Sequence, residues 1–189
     1  MGINREILSQ TIIEVARHED LMLRRVGKGI FLVPELAFID AVGRELAIKA
    51  ESVFGMPGTR WFPQSTNCEF GHTDLVFNVN NSSGLAIKFE CGDVDVDKCE
   101  CDLWKLASID PADYTRIFCA LLPTWPTAIS EDPRIERVEK GPVPVKRLTK
   151  ELDFFSTFHT AFKNEVCCLI GIWEIDASFY KPSAEPHTL

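Results

Sequence analysis

The residues with the greatest chemical potential lie in one short stretch. Leu75, Phe77 and Val79 alternate with Asp74, Val76 and Asn78, and Leu85, Ile87 and Phe89 alternate with Ala86, Lys88 and Glu90. Between them runs Asn80-Asn81-Ser82-Ser83-Gly84, rich in turn-forming residues. Period two on both sides of such a turn predicts a β-hairpin. Side chains alternate along a strand, so the even-numbered residues share a face. That face carries Asp74, Lys88 and Glu90, with His72 at its margin, while the odd-numbered apolar residues are expected to pack on a helix.

Two carboxylates and a lysine on one face can perform hydrolytic chemistry if they converge. With residues 80–84 as the loop, Asp74 faces Glu90; with a loop shorter by two residues, Asp74 faces Lys88. Registers in between would turn one apolar face outward. In the first register two carboxylates stand roughly 5 Å apart at Cβ and repel unless a cation lies between them. Mg²⁺ or Mn²⁺ suits that position, since such hard ions favour carboxylate oxygens and keep several waters. A metal held there activates water and stabilises a leaving oxygen in phosphodiester hydrolysis, with Lys88 orienting the water or helping to deprotonate it.

These residues need elements to hold them. Ile7, Leu8, Ile12, Val15 and Ala16 recur at helical spacing within Ile3 to Arg25. Ile30 to Val33 reads as a short apolar strand before Pro34. Leu36, Ile39, Val42 and Leu46 predict a helix from Glu35 to about Ala50. Arg60 to Asn67 reads as a strand, edge or bulged because of Pro63. Asp97 to Ile109 is expected to be helical with Cys101, Trp104, Leu106 and Ala107 facing inward. Tyr114 to Leu122 and Val166 to Ile175 read as buried strands. Pro123 to Pro144 reads as loop with a helical turn near Arg134 to Lys140. Thr149 to Lys163 is expected to form a helix carrying Leu152, Phe155, Phe158, His159 and Phe162. A strand–helix–strand passage after a meander implies an α/β fold, a mixed central sheet flanked by helices. One domain over residues 1–189 is expected: a helix and short strand in 1–33, a core in 34–122, a helix–strand elaboration in 123–180, and a polar tail in 181–189.

This arrangement resembles the PD-(D/E)XK nuclease superfamily, a restriction-endonuclease-like fold. Its core is a helix, a three-strand meander, a helix and a strand. An Asp on the second strand and an acid-x-Lys on the third bind metal and carry catalysis, and some members add a Glu from the first helix. The resemblance spans about Pro34 to Leu122. It implies Asp74 as the strand-two acid and metal ligand, Lys88 as the catalytic lysine, and Glu35 as the helix acid. The chain departs from the pattern at Ala86, where the second acid is expected, and at Thr73, where the proline falls. Three accounts follow. Glu90 supplies the carboxylate in a swapped Lys-x-Glu order; a helix acid about a dozen residues beyond the lysine, Glu100 or Asp102, takes over; or the site is inactive. The resemblance thus implies a metal-dependent hydrolase of DNA phosphodiesters, or else a silent nuclease-like module for binding or regulation within a defence or repair assembly. DNA, a second copy of the chain or another protein are the partners it suggests.

Composition bounds these readings. The chain has 189 residues, 46% hydrophobic, with 13 Phe and 4 Trp, enough for one packed core. No apolar run approaches the ~18 residues of a membrane span, and the acids among the first 20 residues speak against a signal peptide. A soluble, cytoplasmic protein is expected. Its seven cysteines, an odd number without a C-x-x-C pair, read as reduced thiols. A formal charge of −8 disfavours non-specific binding to nucleic acid over the whole surface. The short basic clusters Arg24, Arg25, Lys28 and Lys146, Arg147, Lys150 read as solvated faces. The simplest alternative for the hairpin face is an exposed ion pair worth under ~1 kcal/mol. Asp93, Asp95 and Asp97 lack the glycine and glutamate of a calcium loop and are expected to be solvated.

Overall fold

The computed structural model describes residues 2–63, 73–80, 83–159 and 166–181. Helix α1 (Arg5–Arg24) starts where the Asn4 side chain accepts a hydrogen bond from the Ile7 amide at 3.1 Å, satisfying one of the orphan donors of the first turn. Its stripe of Leu8, Ile12, Val15 and Ala16 is buried as the periodicity requires. The run after it is not a strand. Ile30–Leu32 forms a single 3₁₀ turn. The buried Asp20 carboxylate accepts from the Ile30 amide at 3.0 Å, so the segment is tied to α1 instead of to a sheet. Helix α2 (Glu35–Ile48) begins after Pro34, and a short helix α3 (Ala50–Phe54) follows, ended by Gly55 in the left-handed conformation.

Strands β1 (Arg60–Pro63), β2 (Leu75–Asn80) and β3 (Ser83–Cys91) make the expected antiparallel meander. The remainder of the first predicted strand, and His72, lie outside the described residues. Helix α4 (Val96–Ala107) carries the chain across to β4 (Tyr114–Thr124), which pairs parallel to β3. A 3₁₀ turn (Pro126–Glu131) and α5 (Pro133–Lys140) fill the proline-rich stretch. Then come β5 (Val145–Arg147), β6 (Asp153–Thr157) and β7 (Val166–Ile175). The seven strands form one mixed sheet in the order β1-β2-β3-β4-β7-β5, with β6 also on β7.

The sheet separates two cores. On one face Leu75, Phe77, Leu85, Ile87 and Phe89 pack with α1, α2 and α3, as the odd-numbered pattern predicts. On the other, Ala86, Phe118, Ala120 and Trp173 pack with α4 and α5. Arg116, 1% exposed, projects into this second side of the sheet. Its guanidinium donates to the carbonyls of Ala107, Ile109, Asp176 and Phe179, pinning the end of α4 to the segment after β7. Buried donors need partners, and here four carbonyls supply them. At Gly171 there is no room for a side chain, because an added Cβ would lie 1.8 Å from the Trp173 ring.

Two expectations fail here besides the short strand. The segment predicted as a helix from Thr149 holds β6, antiparallel to β7. Its burial alternates, with Phe155 and Thr157 inward and Phe154 and Ser156 exposed. The outer edge of β7 offers unpaired backbone groups, and this pairing overrides the i, i+3 spacing of Leu152 and Phe155. Second, α4 is rotated from its expected orientation. It buries Cys99, Asp102, Leu103, Leu106 and Ala107, while Cys101 is exposed. Trp104 is half-buried beside Phe179, with the Lys181 ammonium 4.3 Å from its ring centre.

Candidate active site

The even-numbered face of the hairpin lies beneath α4, and the register decides which side chains meet there. Leu75 pairs with Ile87, Val76 with Ala86 and Phe77 with Leu85, so the ladder places Asp74 beside Lys88 and not beside Glu90. The register expected from a long loop is therefore wrong. Pairing continues past a bulge to Asn80 and Ser83, closer to the turn than the run of turn formers suggests.

Asp74 is 6% exposed. Its Oδ1 accepts from Lys88 Nζ at 2.8 Å and its Oδ2 from the Phe89 amide at 2.7 Å. The Asp74 amide in turn donates to the Ile87 carbonyl at 3.0 Å, which fixes the carboxylate to β3 before β2 begins. Burial works against the Lys88 charge, but the hydrogen bond and charge of Asp74 outweigh it and hold the ammonium above its ordinary pKa. Asp102 and Glu90 add to that effect. Lys88 thus stays charged at neutral pH. It can orient a water or an oxyanion, but it is not a neutral base, and the deprotonating role expected from the sequence is withdrawn.

Glu90 and Asp102 form a second group. They are 2% and 1% exposed. Glu90 projects from β3 and Asp102 from the sheet-facing side of α4, where Asp95 caps the helix by accepting from the Lys98 amide at 2.7 Å. Asp95, read as a solvated loop residue, is thus the helix cap. Lys98 Nζ reaches Glu90 Oε2 at 2.7 Å, and Lys105 hydrogen-bonds Asp102 Oδ1. Asp102 Oδ2 is buried and accepts no hydrogen bond from an amide, hydroxyl or ammonium group. Its neighbour is the Glu90 carboxyl, to which Asp102 is hydrogen-bonded. Burial pushes Glu90 up to about 8, with Asp102 adding to the shift and Lys98 opposing it. Burial also opposes the Asp102 charge, yet the bonds from Glu90 and Lys105 keep that carboxyl below its ordinary value.

Glu35, in the first turn of α2, faces the same region. Burial first, then the Asp74 charge, raise its pKa, while Lys88 and Lys98 lower it. It lines a cavity of about 70 Å³ with Cys91 and Gly92. Glu100, the other helix acid considered, pairs with Arg137 of α5. The structure therefore assembles Glu35, Asp74, Lys88, Glu90 and Asp102, together with Lys98, which sequence reasoning missed. The missed signal is the spacing Lys98, Asp102, Lys105 on one face of a helix. Asp102 was anticipated only as one alternative, because the inward stripe of α4 was centred one residue too late.

No family model, no curated protein and no solved structure matches this chain. Among the described residues no three His, Cys, Asp or Glu side chains converge into a metal cage, and no helix is long and apolar enough to cross a membrane.

Proposed function

We propose that this chain is a nuclease-like protein that hydrolyses DNA phosphodiesters with a divalent metal, on a restriction-endonuclease-like core. The observation that carries the reading is the meeting of Asp74, at the start of β2, with Lys88 on β3, beside a carboxylate delivered by α4. The order of α2, β1, β2, β3, α4 and β4, with β4 parallel to β3, supports it. So does Asp102, which stands where the PD-(D/E)XK superfamily can place an acid beyond the lysine when, as at Ala86, the usual one is missing.

The donor set suits a hard ion. Mg²⁺ is commonly bound by one or two carboxylates completed by waters and substrate phosphates, so a full protein cage is not required. Asp102 and Glu90 bring two buried carboxyls together, and a cation would offset the charge they carry when both are ionised. Asp102 and Glu90 would hold the ion, with Asp74 and Glu35 as outer ligands; bound, Mg²⁺ or Mn²⁺ would supply an acidified water and charge neutralisation at phosphate. Lys88, fixed by Asp74 and 15% exposed, donates to the attacking water or a phosphate oxygen.

The test is incubation of supercoiled plasmid with Mg²⁺ and wild type, Asp74→Ala, Lys88→Ala or Asp102→Ala. Cleavage by wild type alone is expected. Equal cleavage by all four would assign it to a contaminant and refute the proposal.

A second reading is favoured by one specific observation. Each buried carboxylate of the cluster already has a lysine partner, Lys88, Lys98 or Lys105. A silent nuclease-like module, used for binding or regulation within a larger assembly, would keep these pairs closed and bind no metal.

A further inference from the structure

Helix α1 keeps one stripe at the surface. Glu14, His18, Met22 and Val26 follow at intervals of four, which sets them in a row on one face of the helix and its closing turn. All four are exposed. The row is acidic at one end and apolar at the other, and Arg25 and Lys28 stand exposed beside the apolar end. Beside the acidic end a groove of about 480 Å³ runs between α1 and α2. It is floored by the buried Val15 and Ala41 and walled by Glu14, His18, Glu45 and Ile48. Val26 and Ile48, 67% and 76% exposed, are the barest large apolar side chains among the described residues. Lys49 holds Glu14, and Asp40 holds Arg44 at the groove. Among the described residues no ion pair engages Glu19 and Glu45 on the groove, nor Arg25 and Lys28 at the apolar end.

We infer that this stripe is a self-association surface, on which a second copy of the chain packs its α1 antiparallel to the first about a two-fold axis between His18 and Met22. The spacing is symmetric about that point. Glu14 and Val26 each lie six residues from it, about 9 Å along the helix at roughly 1.5 Å per residue. Val26 of each copy therefore falls beside Glu14 of the other, at the mouth of the groove, and Met22 falls beside His18. There Val26 covers Ile48, while Arg25 and Lys28 bring two unpaired cations to the unpaired Glu19 and Glu45. A two-fold contact repeats itself, so each chain offers one acidic groove and one basic tip, and neither is left over once two copies have met. Charge argues for the same occupant. A chain of formal charge −8 repels its own kind over most of its surface. Residues 21–34 hold three cations and no acid, so on this stretch the repulsion reverses. Helices α1 and α2 cover the face of the sheet opposite α4, and the inference stands apart from the hydrolysis proposed there.

Sedimentation velocity at tens of micromolar tests it on wild type, Val26→Asp, Arg25→Glu, Glu45→Arg and an equimolar mixture of the last two. None of the three side chains is buried, so each variant should keep its fold. Wild type is expected as a dimer. Val26→Asp sets a charge in the apolar contact beside Glu14 of the second copy and should weaken the dimer at least about ten-fold. Arg25→Glu and Glu45→Arg should each dissociate it when alone, because like charges then meet twice across the axis. Mixed together they should restore it, since both contacts again join opposite charges. Monomeric wild type, or an assembly of more than two copies, would overturn the inference. A dimer that withstands Val26→Asp and Arg25→Glu would overturn it too, as would a mixture that stays monomeric.

Discussion

Replacing Glu90 by Gln should change the pH dependence of stability in a direction opposite to that of an ordinary surface acid. In the native protein the Glu90 carboxyl is pushed from 4.5 up to about 8, by burial first and Asp102 second. Between those limits the folded chain binds more protons than the unfolded one, so stability falls as pH rises. Its contribution is fully present below pH 4.5 and is lost on the way to pH 8. Each pH unit in that window costs about 1.4 kcal/mol. By pH 7 the loss has a ceiling of about 3 kcal/mol; the lowered Asp102 carboxyl acts only below its ordinary 3.8 and leaves this window unchanged. Gln keeps the shape, can donate to Asp102 Oδ2 and can accept from Lys98, but it does not titrate. Urea unfolding in EDTA, followed by tryptophan fluorescence with the buried Trp173 as one reporter, gives both stabilities at pH 5, 7 and 8.5. The variant should match wild type at pH 5 and exceed it by about 2 kcal/mol at pH 8.5. A difference that stays constant across the three values would refute the raised Glu90 pKa and its bond to Asp102.

Other substitutions probe the frame around the site. Gly171→Ala drives a Cβ into the Trp173 ring and should cost about 1–3 kcal/mol in urea unfolding, more than a surface change. Arg116→Leu leaves the carbonyls of Ala107, Ile109, Asp176 and Phe179 without their donor, and a loss of at least ~2 kcal/mol is expected by the same assay. Asp95→Ala removes the cap of the helix that carries Asp102, at a cost of about 1 kcal/mol. Wild-type stability in any of these would show that the contact does not hold the fold.

The parts legible in the sequence are those set by local pattern. Val166–Ile175 and the strand from Tyr114 are continuous in apolar character and stand where expected, because strands covered on both faces need no alternation. The hairpin face was legible from period two. What escaped depends on partners distant in sequence. Residues 153–157 become strand only because β7 has a free outer edge, and Ile30 turns away from a sheet only because Asp20 captures its amide. The pairing has a bulge between Asn78 and Asn80, a local irregularity that period two does not show, and the ladder beyond it sets Asp74 beside Lys88 and not Glu90. Asp74, Lys88 and Glu35 were visible as candidates; Lys98 was not. A charged residue on an exposed helix face normally reads as solvated, and only the fold reveals that its head lies on a buried acid.

The central claim is that the acids gathered by β2, β3 and α4 accept a divalent cation. Loss of the free Mn²⁺ signal in electron paramagnetic resonance reads this directly, on wild type, Asp74→Asn and Asp102→Asn held at equal concentration near pH 8. One tightly held Mn²⁺ per wild-type chain, weakened at least about ten-fold in each variant, is the predicted result. A free Mn²⁺ signal undiminished by wild type, or lowered equally by all three proteins, would contradict it.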